Sequence, residues 1–349
     1  MLELDGGEGG GQLVRTALSL AVLDGRAFEL SNVRAGRPEP GLRPQHLAAV
    51  ELAAALSDAT VEGDAVGAGR LRFEPAHAAR APRDDVDVDV GTAGSLPLLF
   101  DVALPLGPVL DAPLSAAATG GTDVAWSPPM AYLRRVKLPT LARAGLRAAV
   151  SVERRGFYPA GGGRATLRVE PATPTPLELL ERGPLDAVTA YATASDGLAD
   201  AEVAERLAGA AADALADLPV PVDEAVAYDE TRSPGAVVVL VVRAGAARAG
   251  FSALGERGVP AERVAGRAVS ELRAWLDGDA PVDEHLADQL VVPLALCGGR
   301  VRVPRVTDHL RSNVALVRAF DREVSLSVDG GEREDDGSAT LSASGLVPG

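Results

Sequence analysis

The chain has 349 residues, 47% of them hydrophobic and 24% charged, enough apolar material for a sizeable core and, at roughly 100–200 residues per domain, for two domains. Its 34 basic and 49 acidic residues leave a net charge of −15, which argues against a protein that coats nucleic acid without specificity. No uncharged apolar run reaches the roughly 18 residues of a membrane span, the N-terminal stretch has neither the basic nor the apolar region of a secretory signal, and the lone Cys297 forms no intrachain disulfide, which suits a cytoplasmic protein.

Hydrophobic periodicity predicts a strand at 2–5, a helix over 12–23 stopped by Gly25, and a strand at 28–33. A loop rich in Arg, Pro and Gly follows; Pro44 opens a helix to about 56, and strands near 60–62 and 70–74 close the unit. Next come a strand at 86–90, a helix over 95–106, a strand near 114–118, a helix over 131–144 and a strand at 147–153. An internal echo joins these two stretches: Leu71-Arg-Phe-Glu-Pro-Ala recurs as Leu167-Arg-Val-Glu-Pro-Ala, 96 residues later. A third, split copy reads as helix 284–296, strand 300–306, helix 308–320 and strand 323–328. Between the copies, after Pro171, Pro174 and Pro176, a β-α-β-β-α block reads as strands 185–193, 224–228 and 236–243 with helices 200–215 and 261–276. The expected architecture is α/β (α+β): a large discontinuous domain, 1–178 with 280–349, and a small inserted α/β domain, 179–279.

Lys137 is the only lysine, so the other 33 of the 34 basic residues are Arg; a salt-adapted surface and the codon bias of a GC-rich genome both produce that composition. A P-loop is excluded, because Lys137 sits in Arg-Arg-Val-Lys-Leu-Pro, and so is a Lys-x-Asp-Gly nucleotidyl acceptor. No Gly-x-Ser-x-Gly elbow, His-Glu-x-x-His or cysteine cluster occurs, and Gln12 breaks the Gly-x-Gly-x-x-Gly spacing of the glycine-rich start.

What remains is a set of phosphate-suited groups. His309, in Thr307-Asp-His-Leu-Arg-Ser-Asn313, follows a strand and begins a helix, where N–H groups and the dipole favour phosphate. Neutral imidazole is a competent nucleophile at phosphorus, and Arg311 and Asn313 could hold oxygens; the bland alternative is a helix capped by Asp308 with a packed histidine behind it. Glu8 stands among glycines before a helix, where a carboxylate can meet a divalent cation while the backbone receives phosphates. Arg34, Arg37 and Arg43 cluster ahead of Gln45-His46, and guanidinium forks match phosphate oxygens. Two irregular loops, 120–129 and 155–163, hold Trp126, Phe157 and Tyr158 in a chain with only 3% aromatics, which suggests a stacking surface.

Taken in order, several blocks resemble the RNA 3′-terminal phosphate cyclase family: Asp5-Gly, Glu8-Gly-Gly-Gly-Gln12-Leu-Val-Arg15, Arg34-Ala-Gly-Arg37 with Pro40-Gly-Leu and Gln45-His-Leu, Gly91-Thr-Ala-Gly-Ser95 and Gly120-Gly-Thr-Asp123. The series continues through Arg155-Gly-Phe-Tyr-Pro-Ala-Gly-Gly-Gly163, Gly255-Glu-Arg-Gly258, Leu286-Ala-Asp-Gln289 and Thr307-Asp-His309. The resemblance implies three repeated βαβ-type units with a smaller α/β insertion, and a reaction in which His309 takes AMP from ATP, passes it to an RNA 3′-phosphate end, and a 2′,3′-cyclic phosphate forms. It also implies Glu8 on Mg²⁺ or Mn²⁺ and the triphosphate, Arg15, Arg34 and Arg37 on phosphates with Gln45 and His46 completing that pocket, Pro129 against adenine, and a nucleotide-binding stretch of His285, Leu286, Ala287, Asp288 and Gln289. Asp101 stands where the family usually carries Gln, and His285 where it usually carries Tyr, so restoring Gln at 101 is expected to raise ATP affinity. The resemblance leaves a homodimer open. Two rival readings are a non-catalytic cyclase-like ribosome-assembly protein, which lacks the histidine, and an enolpyruvate-transferase-like enzyme sharing only the fold, against which the expected lack of any lysine in a pocket counts.

Overall fold

The computed structural model describes residues 1–7, 9–80, 85–328 and 337–346. In the first unit β1 (Leu2–Asp5) runs parallel to β2 (Phe28–Ser31), with α1 (Gly11–Asp24) crossing between them. Helix α2 (Pro44–Ser57) then leads to β3 (Thr60–Glu62) and β4 (Leu71–Glu74), giving the order β1-β2-β4-β3. The second unit repeats this plan. Strand β5 (Val86–Asp89), α3 (Leu96–Phe100), β6 (Leu114–Gly120), α4 (Met130–Tyr132), α5 (Leu138–Arg143), β7 (Ala148–Arg154) and β8 (Gly163–Val169) give the order β5-β6-β8-β7. The echoed hexapeptides fall on β4 and β8, the third strand of each sheet. Even their ion pairs recur: Arg72 bonds Glu74, and Arg168 bonds Glu170.

After β9 (Leu177–Leu179) the chain leaves the third sheet and builds another. This has β10 (Leu185–Ser195), α6 (Val203–Ala214), β11 (Val222–Asp229), β12 (Ala236–Ala244), β13 (Ala247–Leu254) and α7 (Ala261–Asp277), in the order β11-β10-β12-β13. The chain returns through α8 (Glu284–Gln289), α9 (Val291–Cys297), β14 (Gly299–Val303), α10 (Asp308–Ala319), β15 (Val324–Val328) and β16 (Ala339–Ala343). These complete the third sheet, β15-β16-β14-β9, with β9 parallel to β14 as β1 is to β2. The long excursion therefore falls between the first strand and first helix of the third unit.

Two apolar cores result. Along β12, Val237, Val239 and Val241 join the large core, while Ala236, Val238, Leu240, Val242 and Ala244 join a second one with α6 and α7. A strand covered on both faces must be apolar without alternation, which its run of valines supplies.

The structure differs from the sequence expectation in several elements. Strand β9 is unpredicted, and the expected 131–144 helix is divided by a π-helical stretch at 133–137. Pro105 and Pro108 cannot donate in a long helix, so the predicted 95–106 helix becomes α3 and a 3-10 turn, Leu104–Val109. Pro293 lacks the N–H that the Gln289 carbonyl would need, and the predicted 284–296 helix breaks at Leu290 into α8 and α9. Strand β13, unpredicted because Ala and Gly carry little strand signal, pairs with β12 over its whole length. Short polar β16, also unpredicted, occupies the centre of the third sheet.

Candidate active site

The N-termini of α1 and α2 meet at one end of the site. Arg43 caps α2, and its backbone N–H donates to His46 Nδ1 at 3.0 Å. The accepting Nδ1 assigns the ring proton to Nε2. The imidazole lies against the start of α1: a Cβ on Gly11 would stand 2.1 Å from His46 Nε2. Burial, together with the positive charges of Arg15, Arg34 and Arg43, pushes the His46 pKa down to about 3. His46 is thus a neutral N–H donor at any physiological pH.

Arg34 adopts the left-handed region, φ 53°, which turns the loop so that its guanidinium donates to the carbonyls of Glu39 (2.9 Å) and Gly41 (2.8 Å). Exposed Arg37 reaches over the glycine loop, and a Cβ on Gly10 would lie 3.1 Å from its Nη2. Arg43 is paired with Glu39 at 2.6 Å. Gln45 Oε1 accepts the Ser95 backbone N–H at 3.4 Å, which joins the first unit to the second.

Arg15 is one turn into α1. Burial lowers its pKa, opposed by the charge of Asp101. Its side chain makes no hydrogen bond or ion pair with another described residue. Asp101 is held instead by the one lysine: Lys137 Nζ donates to Asp101 Oδ1 at 2.5 Å, with only 4% of the lysine side chain exposed. Contrary to the sequence expectation, a lysine does lie beside the pocket. Its signal was its uniqueness, and nothing in the local sequence linked it to Asp101.

The other end is built on α8 and α10. Thr307, not Asp308, caps α10: its Oγ1 accepts the Leu310 N–H (2.9 Å) and donates to Asp288 Oδ1 (2.8 Å). His309 is the second residue of the helix and is exposed. Asn313, considered for holding oxygens, is buried and used elsewhere. It donates to the Asp288 carbonyl (3.2 Å) and accepts from Thr16 Oγ1 (2.8 Å). This bridge ties the His309 helix to α1 at the residue next to Arg15. Burial raises the Asp288 pKa to about 6, against the Thr307 hydrogen bond and the charges of His309 and His285, while Glu284 adds to the rise.

In α8, Leu286 and Ala287 are buried anchors, His285 is exposed and Gln289 half-buried. The helix is capped by Asp283, which sequence reasoning did not single out. Buried Asp283 accepts from Leu286 N (2.8 Å), Gly250 N (2.9 Å) and the Tyr132 hydroxyl (2.8 and 3.0 Å). Tyr132 ends α4, whose cap is Pro129, so the Pro129 and His285 helices are joined through one carboxylate. Glu8 lies outside the described residues. Among the described residues no group of three or more His, Cys, Asp or Glu forms a metal cage.

Three like units, a desolvated arginine with no hydrogen bond or ion pair to another described residue and a histidine on a capped helix start make up an α/β protein whose site suits phosphate groups. Residues 6–325 match the family model of RNA 3′-terminal phosphate cyclase. A protein of Halobacterium salinarum named RNA 3′-terminal phosphate cyclase is 49% identical over 97% of this chain and 99% of its own length. Two more proteins of that name resemble it: one of Thermococcus gammatolerans, 41% identical, and one of Ectopseudomonas mendocina, 40% identical, each over 91% of this chain and 92% of its own length. The chain belongs to the RNA 3′-terminal phosphate cyclase family.

Proposed function

We propose that the protein converts RNA 3′-terminal phosphates to 2′,3′-cyclic phosphodiesters at the expense of ATP. The supporting observation is the placement of His309: exposed on the first turn of α10, and tied through Asn313 and Thr16 to the helix that carries Arg15. An imidazole nitrogen attacks the α-phosphorus of ATP; the bond to the β-phosphate oxygen breaks and pyrophosphate leaves. An oxygen of the RNA 3′-phosphate then attacks the same phosphorus and the P–N bond breaks, freeing His309. Finally the neighbouring 2′-oxygen attacks the 3′-phosphorus, loses its proton, and AMP departs.

Arg15, Arg34, Arg37, Gln45 and neutral His46 bind the triphosphate in this reading. The desolvated Arg15 guanidinium and fixed N–H donors favour the charge developing on phosphoryl oxygens without reorganising. Pro129 and His285 enclose the adenine, and Asp288 and Gln289 hold the nucleotide beside His309. Glu8 would hold the divalent ion that accompanies ATP, an ion that would offset charge on the phosphoryl oxygens. The family's non-catalytic members lack the histidine, so His309 favours the enzyme.

The test is incubation with α-labelled ATP. Protein-bound label that is lost in acid and survives alkali, followed by its loss and RNA cyclisation when an oligonucleotide with a 3′-phosphate is added, is the expected result. Cyclisation with no labelled protein at any time would refute the histidine route.

A further inference from the structure

Two loops, one of them ending at Pro129 beside the proposed nucleotide pocket, are locked together at their bases. Thr122 Oγ1 accepts the Gly156 N–H (3.0 Å), the Thr122 N–H donates to the Gly156 carbonyl (2.9 Å), and Arg155 Nη1 donates to buried Asp123 (2.8 Å). At their tips stand Trp126, 100% exposed, and Tyr158, 75% exposed. Phe157, grouped with them in the sequence, is instead buried against Gly235. Large aromatics carried in full contact with water on rigid supports are suited to a planar partner.

Positive charge lies beside them. Exposed Arg134 and Arg232 are among the arginines that form no hydrogen bond or ion pair with another described residue. Arg134 follows α4, the helix that the Trp126 loop opens; partial burial, and then the charges of Arg135 and Arg155, lower its pKa. Arg232 rests on the Tyr158 turn: a Cβ on Gly162 would meet its Cδ at 2.5 Å. Its neighbour Ser233 accepts the Ala160 N–H at 3.0 Å. The turn is also continuous with the phosphate end of the site. A Cβ on Gly161 would lie 2.7 Å from Ala93 Cα, and one on Gly94 would lie 3.2 Å from the Cβ of Gln45.

We propose that Trp126 and Tyr158, flanked by Arg134 and Arg232, bind the single-stranded RNA nucleotides that precede the 3′-phosphate. Bases stack on the two rings, and backbone phosphates meet the two guanidiniums. The inference rests on the reading of the substrate as an RNA end. It deepens that reading by placing the strand on the 120–129 and 155–163 loops and limiting its contact to a few nucleotides, since the chain's net charge of −15 repels a longer polyanion.

The experiment uses the full chain and 3′-phosphorylated oligoribonucleotides of one to eight nucleotides. The other tryptophan, Trp275, is buried, so quenching of indole fluorescence reports on Trp126. Expected are quenching by RNA and an affinity that rises over the first few nucleotides and then levels off. Trp126→Ala and Tyr158→Ala should each raise the RNA KM by about 10-fold, with Trp126→Phe recovering most of the loss. Transfer of AMP from ATP to the protein in the absence of RNA should stay at the wild-type level. Unchanged RNA KM in both alanine variants, or a change of oligomeric state in place of a KM effect, overturns the subsite. If the wild-type chain neither adenylates nor cyclises, the proposed activity fails, while length-dependent quenching by RNA still supports the subsite.

Discussion

The two ends of the site solve different problems with different means. At the α1–α2 end the charges are fixed: Arg15 is desolvated, His46 is neutral, and Lys137 is locked on Asp101. At the α8–α10 end His285 and His309 face solvent, and Asp288 titrates at about 6. A rigid, desolvated set of donors is what binding a polyanion needs, because its cost is met in folding rather than at each turnover. In the proposed reaction the nucleophile must instead be reached by two successive partners, ATP and then RNA, and an exposed imidazole on a capped helix allows that.

The largest effect expected from this contrast is at the exposed end. His309→Ala should abolish adenylation and cyclisation while leaving the fold intact, because His309 contributes little burial. Of the other histidines, buried His46 and distant His77 have no comparable setting, and His285 sits on α8. A mass spectrum of the His309→Ala protein carrying AMP would sink the assignment. At the fixed end the loss should be partial. Arg15→Ala and Arg37→Ala each remove a charge-assisted donor worth about 1.5–3 kcal/mol, or roughly 10- to 150-fold in the rate of adenylation. Losses as complete as that of His309→Ala would erase the distinction between the two ends.

The Asp101–Lys137 pair adds a stability consequence to one expectation drawn from sequence. Restoring Gln at 101 was expected to raise ATP affinity by removing a carboxylate near an anion. With Lys137 almost wholly buried on that carboxylate, Asp101→Gln strands an ammonium, and breaking a buried pair from one side costs roughly 3–5 kcal/mol of stability. The denaturation midpoint of Asp101→Gln should therefore fall, and the double change Asp101→Gln with Lys137→Met should recover most of it. Equal midpoints for the single variant and wild type would show that the pair carries no stability.

What could be read from the sequence was what is local or periodic. Strands and helices with clean alternation or 3.6-residue spacing, such as β1, α1 and α10, needed no tertiary context, α2 was announced by Pro44 at its start, and the echo of Leu71-Arg-Phe-Glu in Leu167-Arg-Val-Glu marked equivalent strands. The glycine–arginine–histidine blocks carried the candidate site because phosphate chemistry restricts residue type. What could not be read was pairing at a distance. Asp283 looks like one acid among many, and only the fold brings Tyr132 and Gly250 onto it. Asn313 read as a phosphate ligand because its partners, Thr16 and Asp288, are remote in sequence. Thr307 took the cap from Asp308 by a shift of one residue, within the error of any boundary read from sequence.

The smallest predicted effect is also the one that best separates the two ends, because their titrations have opposite signs. His46 falls from 6.5 to about 3 on folding. Its contribution to stability is therefore complete above pH 6.5 and is lost as the pH falls toward 3. Asp288 rises from 3.8 to about 6, so its contribution is complete below pH 3.8 and is lost as the pH rises through about 6. Between pH 4 and 6 the fixed end thus gains stability with pH while the titrating end gives it up. His46→Gln keeps the cap, since a Gln at this helix position can reach back to the Arg43 N–H, and it removes the first slope. Asp288→Asn keeps an oxygen for the Thr307 hydroxyl and removes the second. Urea midpoints measured at pH 4.5 and 7.5 should shift relative to wild type in opposite directions: His46→Gln gains on the acid side, and Asp288→Asn gains on the neutral side. Two variants whose differences from wild type move with pH in the same sense would mean that the two ends are not distinguished by their charge states.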